Sequence, residues 1–159
     1  MSLATALAFI LRQETGELVH GRDGLSRWGI SQANHPELTA QDIESMTSQR
    51  AAVIISGPQY AGAVHFAELP QFLQLPMLDA AVNEGASAAL KALQTALYIP
   101  ADGLWGPQTA RAVQLCQASI TLARFVAART LEYSRDATWA TDGLGWVTRA
   151  ALAAMEAAS

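Results

Sequence analysis

LATALAFILRQETG, residues 3–16, sets Leu3, Leu7, Ile10 and Leu11 at helical spacing and then stops at Gly16. That period is the one an amphipathic helix produces, and the helix is expected to end close to Glu14. Beyond it, the stretch from Thr15 to Asn34 is polar and punctuated by Gly16, Gly21 and Gly24, yet it carries Leu25, Trp28 and Ile30. Such a segment reads as an ordered loop or short hairpin, and long ordered loops inside a small domain tend to carry function.

Working towards the C-terminus, Thr39 followed by Asp42, Ile43, Met46 and Val53 predicts a capped helix running to about Ser56, because hydroxyl and carboxylate can satisfy the free amides of a first turn. Gly57 and Pro58 break it, and residues 59–68 form a short helical piece ahead of Pro70. Pro76 is expected to open a helix through Leu78, Ala81 and Val82 that stops at Gly85, and Ser87 to cap the next one, with Leu90, Leu93 and Leu97. Pro100, Asp102, Gly103, Gly106 and Pro107 make a dense turn signal. Helices near 107–118, 119–135 and 146–157 follow, with Ala137 to Gly145 as a tight connector. The expected fold class is mainly α: a helical globule with a small loop or β-hairpin region after the first helix. Alanine-rich composition, 51% hydrophobic and 15% charged over 159 residues, suits that class.

Several function classes fall away on composition. The formal charge is -4, and the ten basic residues, nine arginines and Lys91, form no run. Nucleic acid is therefore not an expected partner, since displacing counterions from phosphates takes a clustered basic surface. Cys116 stands alone and three histidines are scattered, so neither a disulfide framework nor a metal site is expected, and no cofactor is implied. No apolar stretch reaches the roughly 18–20 residues that span a bilayer, so no stable membrane insertion is expected. The run from Leu3 to Leu11 lacks a basic leader and a small-residue cleavage site and reads as mature protein.

Two constellations point to chemistry. Hydrolysis of a glycosidic bond needs a carboxylic acid to protonate the leaving oxygen, helped by a second carboxylate that activates water or stabilises charge on the sugar. Glu14 and Asp23 fit that pair: partial burial at the end of an apolar helix would keep Glu14 protonated, while Asp23, in a glycine-rich polar loop, would stay ionised. The second constellation is Asp102-Gly-Leu-Trp-Gly-Pro-Gln-Thr109. Locally it is a helix-linking turn in which Asp102 bonds free amides, and Trp105 is either packed there or displayed as a platform for a sugar face.

In order along the chain, Leu7-Ala-Phe-Ile-Leu-Arg-Gln-Glu14-Thr-Gly16 and Trp28-Gly-Ile-Ser31 resemble the opening of glycoside hydrolase family 108, whose signature is Glu-Gly-Gly at the end of the first helix and then Gly-Ile-Thr. Leu78-Asp-Ala-Ala-Val-Asn83-Glu-Gly85 resembles the family's Asp-x-x-x-Asn-x-Gly helix, and the stretch from Ala89 to Leu97 its following Leu-Gln helix. The Asp102–Thr109 turn and Gly145-Trp-Val-Thr-Arg149 resemble its C-terminal peptidoglycan-binding-type region. The resemblance implies a lysozyme-like phage endolysin, an N-acetylmuramidase cutting between N-acetylmuramic acid and N-acetylglucosamine. Glu14 takes the place of the catalytic acid and Asp23 falls near the acidic loop. Ser26 either positions water or steadies a turn.

Trp28, Asp79, Asn83, Glu84 and Trp105 are candidate substrate contacts, with Asp79 and Asn83 alternatively a buried polar pair on one helical face. The expected organisation is a catalytic lobe at 1–85 and a helical peptidoglycan-binding-type lobe at 86–159, packed as one unit. The expected partner is the peptidoglycan glycan strand and the expected state a monomer, held in the host bacterial cytoplasm until lysis and then acting on periplasmic peptidoglycan. Thr15 replaces the family's first glycine after the acid, the loop is shortened to Asp23-Gly24-Leu25, and Ser31 replaces the final threonine. Two rivals follow from these departures and from the shared chemistry: a peptidoglycan-binding protein without turnover, and a lytic transglycosylase.

Overall fold

A computed structural model describes residues 1–21 and 24–158. Helix α1 spans Leu3–Gln13, starts on Ser2, whose hydroxyl accepts from the Thr5 amide, and buries Ala6, Phe9 and Ile10. Glu14 is its C-cap. Three short strands follow, β1 (Val19–Gly21), β2 (Gly24–Arg27) and β3 (Ile30–Ser31), in one antiparallel sheet of order β1-β2-β3. Arg27 pairs with Ile30 across a two-residue turn. Both turn residues have positive φ, 56° at Trp28 and 76° at Gly29, the mirror-image turn whose twist suits a tight hairpin.

The helix predicted from Thr39 to Ser56 is two helices, α2 (Ala40–Glu44) and α3 (Ser48–Ile55). Thr39 and Asp42 form a reciprocal capping box on the first. The Thr39 hydroxyl and amide, with help from Arg50, pull the Asp42 carboxyl down to about 2. A second hydroxyl, Thr47, accepts from the Arg50 amide and starts α3 afresh, so a new cap overrides the apolar period that ran across the break.

Helix α4 (Gln71–Glu84) begins five residues before Pro76, which sits inside it. A proline there removes the bond to the carbonyl four residues back. Burial on every side outweighs that loss: Leu73, Leu75, Met77, Leu78, Ala80 and Ala81 are wholly buried. A helix apolar all round belongs at the centre of a fold, and α4 touches α1, α5 (Ala86–Ala96), α7 (Ala118–Tyr133) and α8 (Trp139–Ala158). Gly85, with φ 87°, separates α4 from α5, and the expected Ser87 cap is replaced by this hinge.

Helix α6 (Pro107–Leu115) follows the Asp102–Thr109 turn, which the side chain of Gln94 holds from within. Its amide donates to Asp102 (2.7 Å), the Leu104 carbonyl (2.9 Å) and Thr109 (3.1 Å), and its oxygen accepts from the Gly103 amide (2.8 Å). The Leu104 amide and Gln94 together keep the Asp102 carboxyl below its usual range. The predicted connector from Ala137 to Gly145 is instead mostly helix, since α8 starts at Trp139. Gly143 is no helix breaker here: a Cβ would lie 2.3 Å from the Trp139 ring, so its absence lets that indole lie along its own helix. One core joins the N-terminal and C-terminal halves, running from Ala6 and Phe9 through α4 to Phe125 and Ala153.

Candidate active site

Glu14 ends α1, and the next two residues turn the chain sharply, Thr15 at φ 53° and Gly16 at φ 72°. Gly16 has no alternative. A Cβ there would lie 2.2 Å from the Trp28 ring, so the indole of the hairpin turn closes directly over the backbone beside the acid. Gly29 is seated in the same way, its Cβ position 3.1 Å from Glu14 Cδ and 3.0 Å from Val82 Cγ1. Arg27 fastens the hairpin, donating from Nε to the Gly16 carbonyl (2.9 Å) and from Nη1 to the Glu44 carbonyl (2.5 Å).

Thr15 stands in the left-handed region, which a β-branched residue occupies at a cost of about 1–2 kcal/mol. Thr15→Gly removes that strain and is expected to stabilise the chain by about 1 kcal/mol once the added freedom of glycine is deducted. The check is a higher urea midpoint at unchanged slope.

The Glu14 side chain is 17% exposed, and its Oε1 lies 2.6 Å from Nη1 of Arg149 on α8. Oε2 has no hydrogen-bond partner among the described residues. Arg149 in turn donates from Nε to Asp79 Oδ1 at 2.7 Å. Asp79 is wholly buried on α4, and its other oxygen takes Nη1 of Arg129 at 3.1 Å. Arg129, itself wholly buried on α7, donates from Nε to Glu84 Oε1 (2.6 Å) and from Nη2 to the Tyr133 hydroxyl (2.7 Å), and that hydroxyl donates to Glu84 (2.6 Å).

Alternating charge therefore runs Glu14, Arg149, Asp79, Arg129, Glu84 through the interior of the bundle. Burial works against both guanidinium charges, but the carboxylates outweigh it: Asp79 and Glu84 at Arg129, Asp79 and Glu14 at Arg149, each arginine ending more basic than usual. Burial, with Glu84 acting in the same direction, pushes the Tyr133 phenol up against the opposing charge of Arg129. Tyr60 also feels the acid, pushed up to about 12 by burial and then by the charges of Glu37 and Glu14. Its hydroxyl meets His35 Nε2 at 2.9 Å, and His35 Nδ1 meets Glu37 at 2.8 Å.

Of the residues expected at the site, Glu14, Trp28, Asp79 and Glu84 are brought together by this network and the hairpin. Asp23 lies outside the described residues. Asp79 sits wholly inside with both oxygens bound to arginines, so its place is behind the acid and away from any surface a substrate could reach. Asn83 is exposed and does not pair with it. Ser26 lies half-buried in mid-strand, opposite Val19 and Ser31. Trp105 is half-buried and stacked on His65, with ring centroids 4.8 Å apart and planes 10° apart.

Arg129, Arg149 and Tyr133 are not among the site residues that the sequence singles out. The signal was present in α7, where Leu122, Phe125, Arg129 and Tyr133 share one buried stripe. A lone arginine in such a stripe needs buried carboxylates facing it.

Residues 7–85 match the family model described as glycosyl hydrolase 108. The matched segment opens in α1 and ends at the glycine after α4, so it contains Glu14, Trp28, Gly29, Asp79 and Glu84, whereas Arg129 and Arg149 lie beyond it. Over nearly its whole length the chain has the fold of SagA from Brucella abortus: a solved structure of that protein matches with a TM-score of 0.88 at 24% identity, covering 98% of this chain and 92% of the other. No curated protein matches. Among the described residues no helix is long and apolar enough to cross a membrane, and no group of three or more His, Cys, Asp or Glu side chains is placed to share a metal ion.

Proposed function

We propose that the chain is an N-acetylmuramidase that hydrolyses the bond between N-acetylmuramic acid and N-acetylglucosamine in peptidoglycan, with Glu14 as general acid. The observation that carries this reading is the Glu14 carboxyl itself. It lies inside the segment matched to glycosyl hydrolase 108, is only 17% exposed, and has one oxygen held by Arg149 while the other has no hydrogen-bond partner among the described residues.

In the proposed reaction Oε2 of Glu14 carries the proton to the departing glycosidic oxygen, and the carboxylate left behind is held by Arg149. Positive charge develops on the sugar as the bond breaks. Asp23, three residues from the Ser26 strand position, is the proposed second carboxylate and activates water or steadies that charge. Gly29 packs against the acid and Trp28 over the neighbouring Gly16, which limits the water there and strengthens each charge interaction. Asp79 contributes from behind, by fixing Arg149. In the same proposal the enzyme serves as a monomeric endolysin of a phage or prophage, kept in the host cytoplasm until lysis releases it onto periplasmic peptidoglycan.

Mass spectrometry of digested wall tests the reaction class. Every released glycan end is expected to carry the added elements of one water. Products lighter by one water and ending in an anhydro sugar would assign a lytic transglycosylase, and retention on the wall without any released fragment would assign a binding protein.

A further inference from the structure

A pocket of about 370 Å³ opens between the end of α4, the end of α7 and the first half of α8, with Asn83, Glu84, Glu132, Tyr133, Asp136 and Trp146 around it. That is within the volume range of small-ligand sites. Its aromatic wall is fixed in place. Trp146 is half-buried and lies against Tyr133, ring centroids 5.5 Å apart at 48°, and the Tyr133 hydroxyl is pinned between Arg129 and Glu84. Among the polar groups that line it, the Asn83 side chain is exposed and has no hydrogen-bond partner among the described residues, while Glu84 commits Oε1 to Arg129 and Tyr133. An aromatic face lining one pocket with an amide and carboxylate oxygens is the chemistry that grips a hydroxylated ring, apolar on its faces and polar at its edges.

Two elements carry the pocket directly to the acid. Asn83 and Glu84 follow Val82, whose Cγ1 meets the same glycine, Gly29, that covers Glu14. Trp146 lies one helical turn before Arg149, the residue that holds Glu14, and side chains at that spacing are neighbours. Among the described residues the lining is acidic, with Glu84, Glu132 and Asp136 and no basic side chain, Arg135 pairing with Glu132 from outside it. A ring that bears a carboxylate is repelled there, and a neutral one is not.

Resting on the hydrolase reading above, we propose that this pocket seats a neutral N-acetylhexosamine ring of the same glycan strand that Glu14 cleaves, with Trp146 as the stacking platform and Asn83 bonding the N-acetyl or hydroxyl groups. Trp146 sets affinity for the strand and takes no part in bond cleavage.

The test uses the full chain carrying Glu14→Gln, titrated calorimetrically with soluble N-acetylglucosamine hexamer, with and without Trp146→Ala, Trp146→Phe or Asn83→Ala. Stacking of this kind is worth roughly tenfold in affinity, so Trp146→Ala is expected to weaken binding by about that factor and Trp146→Phe to recover part of it. Asn83 is exposed, so Asn83→Ala cannot act by unfolding the chain, and a several-fold weakening is expected. In the otherwise native protein, Trp146→Ala should raise KM for peptidoglycan about tenfold with kcat nearly unchanged, the signature of lost uniform binding. Unaltered hexamer affinity in both the Trp146→Ala and Asn83→Ala proteins overturns the proposal, as does a loss confined to kcat. Failure of the hydrolase reading looks different: wild type would leave the wall uncut while hexamer binding still depended on Trp146.

Discussion

An Asp79→Asn chain is expected to lose about 3–5 kcal/mol of stability, the usual cost of removing one member of a buried ion pair and leaving its partners charged. Asp79 is wholly buried and occupies both oxygens with guanidinium groups, at 2.7 Å from Arg149 and 3.1 Å from Arg129. Asparagine keeps the shape but withdraws the charge, and turns its NH2 towards one of the two guanidinium groups, which can only donate. Among the described residues, Glu84 and Glu14 would then be the carboxylates left facing Arg129 and Arg149. For a chain of this size the loss corresponds to a melting temperature lower by roughly 10 °C or more, measurable by thermal or urea unfolding. A change below about 1 kcal/mol would show that the network does not hold α4 to α7 and α8. Thr15→Gly, by contrast, acts through backbone strain beside Glu14 and leaves Asp79 and its two arginines in place.

The same network explains which features could be read from the sequence. The end of α1 is legible because apolar spacing and a following glycine are local signals, and Glu14 falls at the cap as expected. An ordered loop or short hairpin is legible from Gly16, Gly21 and Gly24 with Leu25, Trp28 and Ile30 between and beyond them, and the Thr39–Asp42 box from residue type alone. Pro76 misleads because the position of a proline in a helix depends on what surrounds the helix, and only the assembled core shows α4 buried on all sides. Gly143 misleads for a related reason, since its role is the space it leaves for Trp139.

The partners of Glu14 are the least legible part. Arg149 stands 70 positions from Asp79, and Arg129 stands 45 from Glu84. Charge pairing over such separations leaves no periodic trace in the chain. It also falls outside the matched segment 7–85, so the half of the chain that the family model does not cover supplies the arginines that organise the acid. Trp105 shows the reverse case: its turn is read correctly from glycine and proline, but its ring stacks on His65.

The largest effect on activity is expected at residue 14. Glu14→Gln preserves size and leaves an amide oxygen to accept from Arg149, so the hairpin, the ion network behind it and binding of the glycan strand should all persist. What it removes is the proton. General acid catalysis by a positioned group is worth about two to four orders of magnitude, and without it the leaving sugar must depart as an alkoxide. Thr15→Gly, which relieves strain one position from the Trp28 contact at Gly16, should show no comparable loss.

Side-by-side clearing of permeabilised Gram-negative cells by wild type and Glu14→Gln, followed by turbidity, measures this directly. A rate reduced by about three orders of magnitude in the mutant, at equal folding and equal retention on the wall, is the expected result. Equal clearing by the two proteins would contradict it.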